Sequence, residues 1–256
     1  MLNEENKVVL KSGMTTNGYL LTKKEFVKYY NLGITKYQIT LDGFNHDSTR
    51  PLCNGQPTLK KIIDNLIDIS SLSRDYKFEI TIRRNILPND DLKWYNFINT
   101  KFGEDKRFSV LIRAVGNFGG TSVEKLNLIK SNKIKEELMR HNDYLIKIGM
   151  SSQEIVYGKL GVPFEKMCYA AYPLGLVFRA NGNIEKCTIC LSEEKNVVGQ
   201  IKENGEIYID ETKNLEWSKI NLASKCFKCA ELLSCCNLEC PQKNIFNPLQ
   251  IVCDRQ

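Results

Sequence analysis

The chain has 256 residues, 42% of them hydrophobic and 26% charged, with 36 basic against 30 acidic residues and a net charge of +6. That length can build one large core or two smaller ones, and the composition excludes a disordered or fibrous chain. The basic excess is spread along the chain without a dense block, a poor signature of nucleic-acid binding that fits an acidic or phosphorylated ligand as well.

In chain order, Thr15-Thr16-Asn17-Gly18 reads as a turn after a short extended stretch. A helix follows, because Thr22 and Glu25 have capping-box spacing and Phe26, Tyr29 and Tyr30 supply an apolar face. Tyr37 to Leu41 predicts a strand stopped by Asp42-Gly43. Leu59, Ile62, Ile63, Leu66 and Ile67 repeat with helical spacing. Phe78 to Ile82 alternates as a strand, Leu92 to Phe102 reads as a helix, and Phe108 to Ile112 as another strand. Strands alternating with helices predict an α/β fold with a parallel sheet, whose chemistry sits at the C-terminal strand ends. That places Asp42, Gly43, Asn85 and the loop from Gly116 to Gly120 on the functional rim.

Beyond this, the residues to about 150 read as a polar helical bridge, on which His141 is expected at the surface. From about Phe164 short strands (Gly175 to Phe178, Ile184 to Lys186, Glu206 to Ile209) mix with cysteines and turns, a small domain that needs staples. The N-terminal stretch MLNEENKVVLKSG bears acids and no apolar h-region. No apolar run reaches the roughly 18 residues of a membrane span. The expectation is a cytoplasmic protein with no signal peptide and no membrane partner.

Of ten cysteines, nine lie between Cys168 and Cys253. In a reducing compartment such clustering points to a metal or a metal cluster rather than to disulfides. Cys226-Phe-Lys-Cys229 is a C-x2-C knuckle, a spacing at which two thiolates grip one metal from a tight turn. Four thiolates would close one zinc site and eight would close two sites, so the count fits two sites better.

The order Cys168, Gly182-x4-Cys187, Cys226-x2-Cys229, Cys236-x3-Cys240-Pro241 and Cys253 resembles the SPASM domain of radical S-adenosylmethionine (SAM) enzymes. The first half resembles the radical SAM barrel in the same order. Its matching segments are Thr15 to Leu20, Gln38 to Gly43 with His46, Asp47 and Arg50, the strand ending in Arg83-x-Asn85, and the loop Val115 to Gly120. The resemblance implies an incomplete radical SAM (β/α) partial barrel over residues 1–125, a helical bridge over 126–163 and a small Cys-rich α+β SPASM domain over 164–256. It implies two auxiliary [4Fe–4S] clusters, one on Cys168, Cys187 and Cys240 with Cys190 as the fourth ligand, the other on Cys226, Cys229, Cys236 and Cys253. Cys235 competes with Cys236 for its place, and zinc in the same cages is the alternative. Cys53 is expected to be a bystander.

In the family, Thr40 and Arg50 match positions that contact SAM. The resemblance implies radical modification of a peptide or protein side chain. The motif C-x3-C-x2-C that holds the family's radical-generating cluster does not occur in this sequence. SAM chemistry would therefore need a partner: an N-terminal radical SAM fragment carrying that motif. Thr188 stands where sulfatase-maturing relatives have a catalytic Asp, which argues against that activity. The competing expectation is a non-catalytic iron–sulfur or zinc-binding module that pairs with another chain.

Overall fold

A computed structural model describes residues 11–116, 126–152, 168–191, 193–219, 228 and 241–246. The chain divides into two compact units, Met1–Ile155 and Val156–Gln256.

The first unit is a β/α succession: β1 (Ser12–Thr16), α1 (Lys23–Asn31), β2 (Ile34–Thr40), the short α2 (His46–Thr49), α3 (Leu59–Ser70), β3 (Glu79–Ile86), α4 (Lys93–Phe102), β4 (Phe108–Ala114) and α5 (Ile134–Lys147). The four strands are parallel and lie side by side in chain order. Right-handed crossovers that advance one way put the helices on one face of the sheet. The residues agree. Tyr37, Ile39, Ile80, Ile82, Ile86, Phe108, Val110 and Ile112 are buried in one core with Phe26, Ile62, Leu66, Tyr95 and Ile98 from the helices. Each such side chain contributes about 1.5–3 kcal/mol by leaving water.

The opposite face is polar. Register aligns Thr15, Gln38, Thr81 and Ser109 in one row, Thr40, Arg83 and Leu111 in the next, and Asn85 with Arg113 beyond. A doubly wound sheet buries both faces under helices; among the described residues the second face of this sheet is half-buried, with Thr81 and Leu111 buried and Thr40, Arg83, Asn85 and Arg113 partly exposed.

Local chemistry sets the elements. Thr22 caps α1, its hydroxyl accepting from the Glu25 amide at 3.3 Å, as the spacing predicts. On α3 the buried stripe is Ile62, Ile63, Leu66 and Ile69, while Ile67 is exposed. Ile67 lies roughly 130° round the helix from the centre of Ile62, Leu66 and Ile69. Asn65, also buried, donates to the carbonyls of Gly18 and Tyr19 and ties α3 to the end of β1. Helix α5 buries Leu138, His141 and Leu145 and packs on β4, and β4 bonds onward through the Val110 amide to Ser151. So α5 belongs to the first unit, and His141 is fully buried rather than at the surface.

The second unit holds a four-stranded antiparallel meander, β5 (Val177–Phe178), β6 (Asn183–Glu185), β7 (Val197–Ile201) and β8 (Ile207–Ile209), followed by α6 (Glu211–Glu216) and α7 (Pro241–Phe246). Its small core joins Ala170, Ile184, Val198 and Trp217 to Cys187 and Cys190. No helix among the described residues is long and apolar enough to cross a membrane.

Candidate functional site

Two sites emerge, one in each unit. The first is a cleft of about 730 Å³ over the C-terminal ends of β2, β3 and β4, lined by residues that include Asp42, Phe44, Arg50, Arg83, Asn85 and Asp90. Asp42 is its hub. Its Oδ1 accepts from Asn85 Nδ2 at 2.9 Å, and its Oδ2 accepts from Arg50 Nε at 2.5 Å and from the Thr49 hydroxyl at 3.5 Å. Asn85 Oδ1 in turn accepts from Arg83 Nε at 3.0 Å. One carboxylate therefore links two guanidinium groups, one directly and one through an amide. Burial, together with the charges of Arg113 and Arg50, pulls the Arg83 guanidinium below its ordinary range, and Asp42 only partly offsets this.

The turn after β2 is built to aim Asp42. The Asp42 amide donates to His46 Nδ1 at 3.1 Å, so that nitrogen carries no proton. Burial and the Arg50 charge hold His46 below its ordinary value despite Asp42 and Asp47. Gly43 sits at φ +98°, and a Cβ there would lie 3.2 Å from Arg84 Nη2. Arg84 breaks the alternation of β3: it is buried on the helix side, stacked on Trp94 and Tyr95 at 5.1 and 4.9 Å, with Nη2 3.5 Å from Asp90.

Of the sequence-predicted residues, Arg50 lines this cleft, while Thr40, at the end of β2, pairs in register with Arg83. Arg50 is committed to Asp42 rather than free. Arg83 and Arg113 were not singled out as ligand contacts; the signal for Arg83 is the period-two polar pattern Glu79, Thr81, Arg83, Asn85. Residues 117–120 of the predicted glycine loop lie outside the described residues.

The second site is the pair Cys187 and Cys190, a C-x2-C knuckle in which both thiols are buried and within hydrogen-bonding reach of each other. The Ile189 amide donates to Cys187 Sγ at 3.4 Å. Asn196, fully buried, holds the loop. Its Oδ1 accepts from the Lys186 and Cys187 amides at 3.2 and 2.8 Å. Its Nδ2 donates to the carbonyls of Cys187 and Cys190 at 2.9 and 3.0 Å and to Glu185. Tyr169 Oη accepts from the Thr188 amide at 2.9 Å. Gly182, at φ +84°, closes the β5–β6 hairpin that delivers the knuckle; a Cβ would meet the Ile201 carbonyl at 3.1 Å. Beneath it the Lys186 ammonium is buried and donates to the Tyr172 carbonyl and Asn214 Oδ1, each at 2.7 Å.

Burial, then the neighbouring Cys187 sulfur, pushes the Cys190 thiol up to about 12. Without a cation the Cys190 thiol stays protonated at neutral pH; a soft metal ion must displace its proton to bind there. Two adjacent thiols with an amide aimed at one sulfur and a fixed backbone suit a thiolate-bound metal or cluster. Cys168 packs against the same core. Among the described residues no group of three or more His, Cys, Asp or Glu is gathered around one point. Cys226, Cys229, Cys235, Cys236, Cys240 and Cys253 lie outside the described residues, and Cys53 is exposed.

No family model and no curated protein matches the chain. The fold is mixed α/β, a parallel four-stranded sheet followed by an antiparallel one.

Proposed function

We propose that this chain is a radical SAM/SPASM-type protein whose second unit binds auxiliary [4Fe–4S] clusters and whose first unit presents a peptide or protein side chain for radical modification. The observation that carries the reading is the Cys187–Cys190 knuckle, both thiols buried on a backbone locked by Asn196. A fixed thiol pair of this kind, followed in sequence by six further cysteines from Cys226 to Cys253, suits thiolate cages better than scattered structural thiols. The first unit supports the partial-barrel part of the reading, with strands that advance one way and a polar face that ends in Thr40, Arg83 and Asn85. In this reading Cys168, Cys187, Cys190 and Cys240 hold one cluster and Cys226, Cys229, Cys236 and Cys253 the other. The clusters supply electron transfer or a substrate anchor, and Thr40 and Arg50 face SAM. SAM cleavage requires a partner fragment that carries C-x3-C-x2-C.

The test is anaerobic reconstitution followed by iron, sulfide and zinc analysis. About eight irons and eight sulfides per chain are expected for two cubane clusters. Cys187→Ser and Cys190→Ser should each lower that content, and Cys53→Ser should not. Stoichiometric zinc without labile sulfide would overturn the reading.

A further inference from the structure

We propose that the polar face of the first sheet binds an acidic peptide through Arg83 and Arg113, an assignment that rests on the reading of the substrate as a peptide. The two residues stand on neighbouring strands of the same face. Arg83 pairs in register with Leu111, and Arg113, two residues further along β4, pairs with Asn85. Diagonal neighbours of this kind, with long side chains, converge on one ligand.

The acids of the cleft are already engaged. Asp42 serves Arg50 and Asn85. Asp90 accepts from the Leu87 amide and pairs with Arg84. Asp91 accepts from the Lys93 amide at the start of α4. Arg83 spends only its Nε, on Asn85, and the Arg113 guanidinium makes no ion pair or hydrogen bond among the described residues.

Crowded guanidinium groups whose one nearby acid, Asp42, is shared with Arg50 repel one another, and a bound carboxylate relieves that repulsion. Two planar forks favour a carboxylate taken in bidentate fashion. The cleft of about 730 Å³ that Arg83 lines, together with Ala114 and Val115 just past Arg113, has room for several residues, so the ligand is a run of acidic side chains rather than one small anion. The net charge of +6 adds long-range attraction for such a peptide.

The experiment measures the fluorescence anisotropy of labelled hexaglutamate titrated with the full chain, beside hexalysine and a Gly-Ser peptide. Hexaglutamate alone should bind, more weakly as salt rises. Arg83→Gln and Arg113→Gln should each weaken it about tenfold, while Arg113→Lys, which keeps the charge but loses the fork, weakens it less, and Lys147→Gln, on an exposed position of α5, changes nothing. Equal binding by the wild type and both Gln variants, or no binding of hexaglutamate, would overturn the proposal. So would complete competition by inorganic phosphate at concentrations where glutamate does not compete. Should a Gln variant fail to fold, the salt dependence of the wild type and the Arg113→Lys variant decide. Iron and sulfide are measured on the same preparation. Normal clusters with charge-independent binding sink only this inference; zinc in their place with charge-dependent binding sinks only the functional reading.

Discussion

His141 offers the sharpest test of the first unit's packing. It is fully buried on α5, with Nδ1 2.7 Å from Tyr95 Oη and Nε2 3.1 Å from Arg140 Nη2. Arginine has no acceptor, so Nε2 must be the bare nitrogen and Nδ1–H must donate to the tyrosine oxygen. Protonation would put a cation beside Arg140 and Arg84 in a dry site. Burial first, then those two charges, lower its pKa to about 3. The folded form therefore refuses a proton that the unfolded chain accepts near pH 6.5. Stability is complete above that value and falls as the pH drops towards 3. Between pH 7 and pH 5 the loss from this one residue is about 2 kcal/mol, since each pH unit below 6.5 costs about 1.4 kcal/mol. His46 contributes its own loss, so the comparison is with His141→Gln, in which His46 is unchanged. Urea unfolding in a Trp217→Phe background leaves Trp94 as the reporter of the first unit. The wild type should lose about 2 kcal/mol more than His141→Gln over this interval. The same pH dependence in both proteins would refute the buried neutral imidazole.

Three further outcomes follow. Asn196→Ala strips the side-chain partner from the Cys187 amide and from two carbonyls, while the Lys186 amide keeps the Asn196 carbonyl, and should cost the second unit about 3–5 kcal/mol; Trp217 fluorescence during urea unfolding of Trp94→Phe protein reports it, and an unmoved midpoint would contradict the hub. Gly43→Ala forces a side chain to φ +98° against Arg84 and should cost about 1–3 kcal/mol, read by thermal unfolding. Asp42→Asn releases Arg50 and Arg83 from their shared acid; hexaglutamate binding should tighten while stability falls by about 1 kcal/mol, and weaker binding would contradict the charge argument.

The parallel strands and their helices were legible because burial of one face imposes period two on strands and 3.6 on helices. Leu59 to Ile67 located α3, but the stripe runs through Ile69, since Ile67 faces away from the sheet. Strand β2 begins earlier than Tyr37, because pairing with β1 recruits Ile34 to Lys36 regardless of their polarity. His141 misled because Arg140, Asn142 and Asp143 make its local sequence polar, whereas the side chain turns to Tyr95 across a separation of 46 residues. Strand β7 passed unnoticed, although Asn204-Gly205 marks the β7–β8 hairpin and Gly205 takes φ +82°. In the site, the sequence marked Cys226 and Cys229 as the knuckle, with Cys187 and Cys190 only as ligands implied by the resemblance, and nothing local marks Asn196 as the support of the second pair. Arg113 gained its meaning only once register set it diagonal to Arg83.

The proposed function requires that the cysteines of the second unit be cluster ligands. Mössbauer spectroscopy of the chain reconstituted anaerobically with enriched iron tests it most directly. The expected spectrum is dominated by valence-delocalised iron of [4Fe–4S] clusters, amounting to about eight irons per chain, with a clear loss in Cys187→Ser. A spectrum of isolated ferric or ferrous iron only, unchanged by that substitution, would contradict it.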